Sequence, residues 1–365
     1  MIRLEGRYNS AVVYSDRAEA GALAQVRGLL DHPAFADSRI AVMPDVHVGK
    51  GSVVGMTMSM NGRVCPWVVG VDIGCGIDAY NLGAVTPAFA KLDAHIRHAI
   101  PAGFHRHAGA RHDLPFQEQL EELVRRIAPG KREHILSSLG TLGGGNHFIE
   151  LARGQDGVWL VLHSGSRHLG VLVAEYHQRQ AARGKAPRGL EYLEGAAAEA
   201  YLADMRTAQE YAVANRRLMA AAICRDYFGL EPEGLQHVAS IHNYINFEDG
   251  IVRKGAVAAH AGQPLVIPLN MRDGTLLGEG LGNPDWNFSA PHGAGRVLGR
   301  GEAKRQLSLE EYERTMAGIF STSVGRATLD EAPAAYKPMA ELVDALGPAV
   351  RIRERLVPVY NFKAG

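Results

Sequence analysis

The chain has 365 residues, enough for one large domain or two ordinary ones, each with a sizeable core. Its 39 Lys and Arg balance its 39 Asp and Glu, which excludes a globally basic nucleic-acid binder and leaves only a local patch for any polyanion. Three cysteines are too few for a disulfide framework, "MIRLEGRYNS" has no basic-then-apolar leader, and no apolar run reaches roughly 20 residues, so a soluble, cytoplasmic protein without membrane contact is expected.

In chain order, the first half reads as strands and tight turns. "RIAVM" (39–43) is a short apolar run, and "GMTMSM" (55–60) alternates as a half-buried strand does. "PWVVGV" (66–71) is predicted to be a buried strand, and "IDAYNL" (77–82) another. Helices are predicted over roughly 88–99 and 115–128, the second on the spacing of "FQEQLEELVRRI". "VWLVLHS" (158–164) is an apolar run ending in histidine, the pattern of a buried strand. From about 168 to 228 the chain is Ala- and Arg-rich and predicted helical, broken by "RGKAPRGLE", and reads as an inserted helical segment. Strands return with "HVASIHNY", "PLVIPL" and "VRIRERLVPVY". Strand runs and helix runs are segregated, with no repeat or linker. The expectation is an α+β fold in one unit spanning 1–365.

The chemistry concentrates in a few motifs. "DIGCG" offers Asp72 and Cys75, one hard and one soft metal ligand, with glycine on both sides of the thiol. "LGGGNHFIEL" carries Asn146 and His147, with Glu150 one helical turn later. "LVLHSGSRHLG" ends an apolar run at His163 and continues to Arg167, and "VASIHNYINFE" ends another at His242. One histidine of this kind is more often a hydrogen-bonded core residue; three of them with a carboxylate and a thiol are better explained by one site. Asp72, Cys75, His147, His163 and His242 exceed the four ligands of a closed structural zinc, and fit an open metal or a pair. Mn, Fe, Co and Zn all remain open on ligand type.

"WNFSAPHGAGRVLGRGEAKR" sets His292 among small residues, followed by Arg296, Arg300 and Lys304 at the spacing of one helix face. A histidine nucleophile is sound chemistry, and a Pro-His-Gly turn beside a solvated basic helix is the equal alternative. "MPDVHVGKG" puts Asp45, His47 and Lys50 on a glycine-containing loop, suited to phosphate contact or to an ordinary turn. "FHRHAGARHD", with His105, His107 and His112, reads as a surface loop.

"MPDVHVGKG", "GVDIGCGI", "LGGGNHFIE", "HSGSR", "HNYIN", "RKGA", "PHGAGR" and "DEAPAAYK" in this order resemble the RtcB family of GTP-dependent RNA ligases over nearly the whole chain. The resemblance implies joining of RNA 3′-phosphate or 2′,3′-cyclic phosphate ends to 5′-hydroxyl ends, with GTP and two Mn2+ ions, in tRNA splicing or RNA repair. It also implies an activating helper protein as a further partner. By the same resemblance, the α+β fold holds a central metal-binding cleft in which Asp72, Cys75, His147, His163 and His242 are metal ligands, Cys75 bridging, and His292 becomes guanylylated. Asn146, Glu150, Asn270, Gly293, Ala294, Gly295, Tyr336 and Lys363 fall where the family contacts the nucleotide. Arg167, Arg296, Arg300, His47 and Lys50 fall with phosphate or RNA contacts. The chain departs at "IPLNMRDGTLLGEG", where Asn270 and Arg272 stand in a loop that is serine- and glycine-rich in most members, and at the Ala364-Gly365 end. Two other expectations compete: a binuclear metal phosphoesterase without guanylylation, and a non-ligating RNA-binding module.

Overall fold

Two sheets carry the molecule, and the chain crosses between them at His242. The computed structural model describes residues 1–110, 113–184, 187 and 189–364. Among these, one sheet has six strands in the order Ile2–Glu5, Ser10–Val13, Ile40–His47, Val54–Ser59, Ile251–Lys254, Asn243–Asn246. The other has seven, in the order His237–Ile241, Gly76–Asn81, Val158–Ser164, Phe148–Arg153, Val350–Lys363, Gly274–Gly280, Pro264–Asn270. Every pairing in the seven-stranded sheet is antiparallel, and helices pack outside it, so the fold is α+β as the segregated pattern predicts.

The seven-stranded sheet curls until its edges meet: the Val266 N–H on one edge strand donates to Ser240 Oγ on the other at 2.9 Å. Side-chain alternation then divides it into an inner and an outer face. Ile77, Ala79, Phe148, Ala152, Trp159, Val161, Val266, Leu277 and Leu356 pack inside the curl. Tyr80, Ile149, Leu151, Leu160, Leu162, Tyr360 and Phe362 face outward against the helices Phe89–Ala99 and Gly195–Cys224. Glu150 and His163 keep the inner period, so the same alternation that builds the core aims a carboxyl and an imidazole into the curl.

Four local expectations are corrected. "PWVVGV" is a helix, Pro66–Val69, followed by Gly70 at φ 90°. Pro66 fits the first helical position, where its missing N–H has no partner to lose. Asp45 and His47 lie in the strand Ile40–His47, not in a loop. Glu150 lies in the strand Phe148–Arg153 rather than on a helical turn. The basic helix begins only at Arg300, so Arg296 precedes it and shares no helical face with Arg300 and Lys304. The Ala-rich stretch forms the helices Arg167–Ala181 and Gly195–Cys224, both with long buried faces. No helix among the described residues is long and apolar enough to cross a membrane.

Candidate metal centre and its pocket

Strand order explains why the distant motifs meet. His237–Ile241, Gly76–Asn81, Val158–Ser164 and Phe148–Arg153 are neighbours and alternate in direction. The chain leaves two of them at His163 and His242 and enters the other two beside Cys75 and His147, all at one end of the sheet. Cys75 Sγ lies 3.4 Å from His147 Nε2 and 3.2 Å from His163 Nε2. His163 Nε2 lies 3.3 Å from His242 Nε2, and Asp72 Oδ2 3.2 Å from His147 Nε2. Among the described residues, Cys75, His147 and His163 bring their ligand atoms within 4.8 Å of one another, all three buried.

The outer nitrogens orient the rings. His147 Nδ1 lies 2.9 Å from the Leu142 carbonyl, and His163 Nδ1 lies 3.1 Å from the Asn146 carbonyl. A carbonyl only accepts, so His163 Nδ1 carries the proton and its Nε2 lone pair faces the cluster, the tautomer a metal-binding imidazole needs. His147 instead turns Nε2 toward the Asp72 carboxylate and has Arg167 Nη1 3.1 Å from its Nδ1. Burial and neighbouring histidines hold His163 and His242 well below the ordinary histidine range, so both are neutral donors. Burial, then the Asp72 carboxylate, pushes the Cys75 thiol well above its usual range. Asp72 is held down at about 2: burial opposes this, but the His147 hydrogen bond and charge outweigh it. A set of two neutral imidazoles, a third beside a carboxylate, and a thiol fits a divalent ion of borderline softness, whose binding would displace the Cys75 proton.

Glycine beside the thiol serves the protein's own packing. Gly74 has φ +70°, and a Cβ there would come within 2.8 Å of Ala212 Cβ on the long helix Gly195–Cys224. That helix supplies residues that motif reading missed. Asn215 Nδ2 donates to the Thr141 carbonyl, Ser164 Oγ and the Gly165 carbonyl, and its Oδ1 accepts from the Thr141 N–H. Arg216, 1% exposed, pairs with Asp78 at 3.0 Å and donates to the Gly74 and Ser164 carbonyls. Two adjacent side chains thus tie together the loops carrying Cys75, His147 and His163. Their only sequence signal is a polar pair on the buried face of an Ala-rich helix.

His292 follows the strand Ser289–Pro291, and its ring centroid lies 5.0 Å from that of His242. Its Nδ1 donates to Asp45 Oδ2 at 2.7 Å, which in the neutral ring puts the lone pair on Nε2. Asp45 is 1% exposed, and its other oxygen, Oδ1, has no partner. Gly295, at φ +72°, lets the two approach: a Cβ there would sit 2.8 Å from the Asp45 carbonyl oxygen. "MPDVHVGKG" brought Asp45 to notice without assigning it to His292.

A cavity of about 390 Å3 opens over Asp72, Cys75, His163, His242 and His292. His47, Lys50, Asn146, Glu150, Asn270, Gly293, Ala294, Gly295, Arg296, Arg300, Tyr336 and Lys363 line it. Arg167 does not; it borders a second groove on the other side of His147, and its φ of 56° is a strained position for a non-glycine residue. Burial pushes Glu150 up to about 8, against hydrogen bonding by Asn361, whose Nδ2 donates to Oε2 at 3.0 Å. Asn270 spends its side chain on its own turn, donating to Asp273 and accepting from the Arg272 and Asp273 N–H groups. Arg272 pairs with Asp273 outside.

The basic residues are neutralised by two acids that motif reading left unassigned. Glu331 accepts from Lys363 at 2.8 Å, Tyr336 at 2.7 Å, Arg300 at 2.6 Å and Arg296 at 3.2 Å. Asp330 takes Arg300 at 2.8 Å and Lys304 at 3.3 Å. Although burial opposes it, the Lys363 and Arg300 charges hold Glu331 down at about 2. His105 stands exposed, His107 is half-buried, and His112 lies outside the described residues.

A sequence model of the family described as tRNA-splicing ligase RtcB matches residues 25–134 and 125–364. The RNA-splicing ligase RtcB of Escherichia coli K12 is 32% identical over 364 residues, covering 87% of this chain and 88% of its own length. The tRNA-splicing ligase RtcB of Aeropyrum pernix is 28% identical over 457 residues, covering 96% and 94%. The Mycobacterium tuberculosis RNA-splicing ligase RtcB is 28% identical over 414 residues, covering 87% and 95%. With the motifs clustered at one end of a sheet and the match running over nearly its whole length, the chain belongs to the RtcB family.

Proposed function

We propose that this chain is an RNA ligase that joins 3′-phosphate or 2′,3′-cyclic phosphate ends to 5′-hydroxyl ends, using GTP and divalent manganese. The observation that carries the proposal is His292, with Nδ1 fixed by a buried carboxylate at 2.7 Å and its ring beside the donor cluster in one cavity. The side chains Asp72, Cys75, His147, His163 and His242 would hold the metal, which neutralises phosphate charge when bound.

His292 Nε2 attacks the α-phosphorus of GTP; an N–P bond forms, the P–O bond to the β-phosphate breaks, and pyrophosphate leaves with the electron pair. The Nδ1 proton stays on the ring against Asp45, which stabilises the cation that develops. An RNA 3′-phosphate oxygen then displaces the imidazole from that phosphorus, giving an RNA end capped by GMP. Finally the 5′-hydroxyl oxygen attacks the RNA phosphorus, its proton is lost, and GMP departs. Activation is needed because a terminal phosphate monoester is otherwise a poor electrophile for an alcohol. Arg296, Arg300 and Lys363 line the pocket as cations for the nucleotide, and buried Glu150 and Asn361 face it as polar groups for a base. A helper protein would raise the rate without changing the atom modified. A free thiol among the donors favours a reducing compartment, the cytoplasm.

Incubation with α-labelled GTP and Mn2+ tests the proposal. An acid-labile GMP adduct should form on the protein, His292→Ala should show none, and a 3′-phosphate/5′-hydroxyl RNA pair should be ligated. Phosphate-ester hydrolysis that survives His292→Ala, without any adduct, would replace the ligase by the phosphoesterase.

A further inference from the structure

The loop after the helix Phe89–Ala99 places a bare aromatic ring beside the metal centre. Phe104 is fully exposed, the largest exposure among the described hydrophobic side chains. The turn that carries it is not loose. The Leu142 N–H donates to the Pro101 carbonyl and the Gly103 N–H to the Gly143 carbonyl, both at 2.9 Å, so the turn is bonded to the loop that delivers His147. Phe104 lines a groove of about 1000 Å3 that reaches Asp72 and His147 and adjoins His292's cavity at Asp72, Glu331 and Lys363.

We propose that this groove seats the RNA strand bearing the 3′-phosphate, with Phe104 stacking on a base near that end; the proposal rests on the RNA-ligase function above. Three observations favour a single-stranded polyanion. An exposed ring on a fixed turn is a stacking platform, and every base offers it a face. Arg106 is exposed, and its one side-chain hydrogen bond among the described residues is to the neutral Ser137 Oγ at 3.4 Å, with no carboxylate partner among them, so its charge is available to a phosphate. Arg167 lies at the groove's inner end beside His147, and its buried Nε has no acceptor. An unfilled charged donor next to the donor cluster suits a terminal phosphate. That choice favours the 3′-phosphate strand, because the other strand ends in a neutral hydroxyl. His292's cavity is left to the nucleotide, so the two phosphorus atoms that must meet enter through separate cavities that join at Asp72.

The test uses the full chain with Mn2+ and GTP, and RNA carrying 2-aminopurine next to its 3′-phosphate nucleotide. Wild type should quench the fluorescence on binding; Phe104→Ala should not, and should raise the KM for that strand about 5- to 150-fold. Phe104→Trp should restore both. Guanylylation of His292 should be equal in all three proteins, which also reports that the variants are folded. Unchanged RNA affinity in Phe104→Ala, in a wild type that ligates, overturns the groove assignment alone and leaves the ring to a protein partner. Quenching only by a labelled 5′-hydroxyl strand overturns it as well. A wild type that neither guanylylates nor ligates removes the ligase function and this assignment together.

Discussion

The donor cluster and the cationic wall face the same cavity but are held by different means. Cys75, His147, His163 and His242 sit at the ends of four paired strands, and backbone carbonyls orient two of the rings. Arg296, Arg300, Tyr336 and Lys363 are instead drawn together by one side chain, Glu331. A ligand lost from the first region should cost metal while the strands stay paired. A lost Glu331 should cost the region itself, because Lys363 and Arg296 have no other carboxylate partner among the described residues and keep only carbonyls and the Tyr336 hydroxyl.

The largest expected effect sharpens that contrast. Glu331→Gln leaves Lys363 and Arg296 without their carboxylate and should lower stability by about 3 kcal/mol, read as a urea midpoint at constant m. Part of the usual penalty is spared because Arg300 is 45% exposed and keeps Asp330. The same carboxylate gives a pH signature. Its folded pKa lies at about 2, below the ordinary unfolded value, so its stabilisation is present above about pH 4.3 and drains away as pH falls toward 2. The variant should be flatter over that window, and an equally steep acid loss would contradict the role given to Glu331.

Next in size, Cys75→Ala should weaken Mn2+ binding at least about 100-fold by calorimetric titration, with an unchanged circular dichroism spectrum. Should the variant instead melt early with its metal affinity intact, the two regions would exchange descriptions. The smallest effect concerns Glu150, raised to about 8 by burial. A raised acid contributes stability below its unfolded pKa and loses it as pH rises through the folded one. Wild type should therefore weaken progressively between about pH 4.3 and 8 relative to Glu150→Gln, a difference that paired denaturant melts would detect.

The same contrast explains what was legible in the sequence. Strand-end ligands announce themselves, because an apolar run that stops at histidine is a local pattern. Val158–Ser164 falls on the residues predicted for it. Partners that meet only in space leave no such mark: Asp45 and His292 are 247 positions apart, and Glu331 is 35 from Arg296. Short apolar runs are ambiguous in a different way. Pro66–Val69 has strand composition, and the proline at its first turn decides for helix. Spacing of three suits a helical turn at Glu150, whereas the triple glycine before it leads into the strand Phe148–Arg153.

His242 is the residue at which the backbone passes from the curled sheet to the edge strand of the other, Ile241 pairing in one and Asn243 in the other. A cation gripped there and by Cys75 and His163 would act as a rivet through the seam. Loading it should slow amide exchange in both sheets at once, so that two layers otherwise able to breathe separately open only as a single cooperative body.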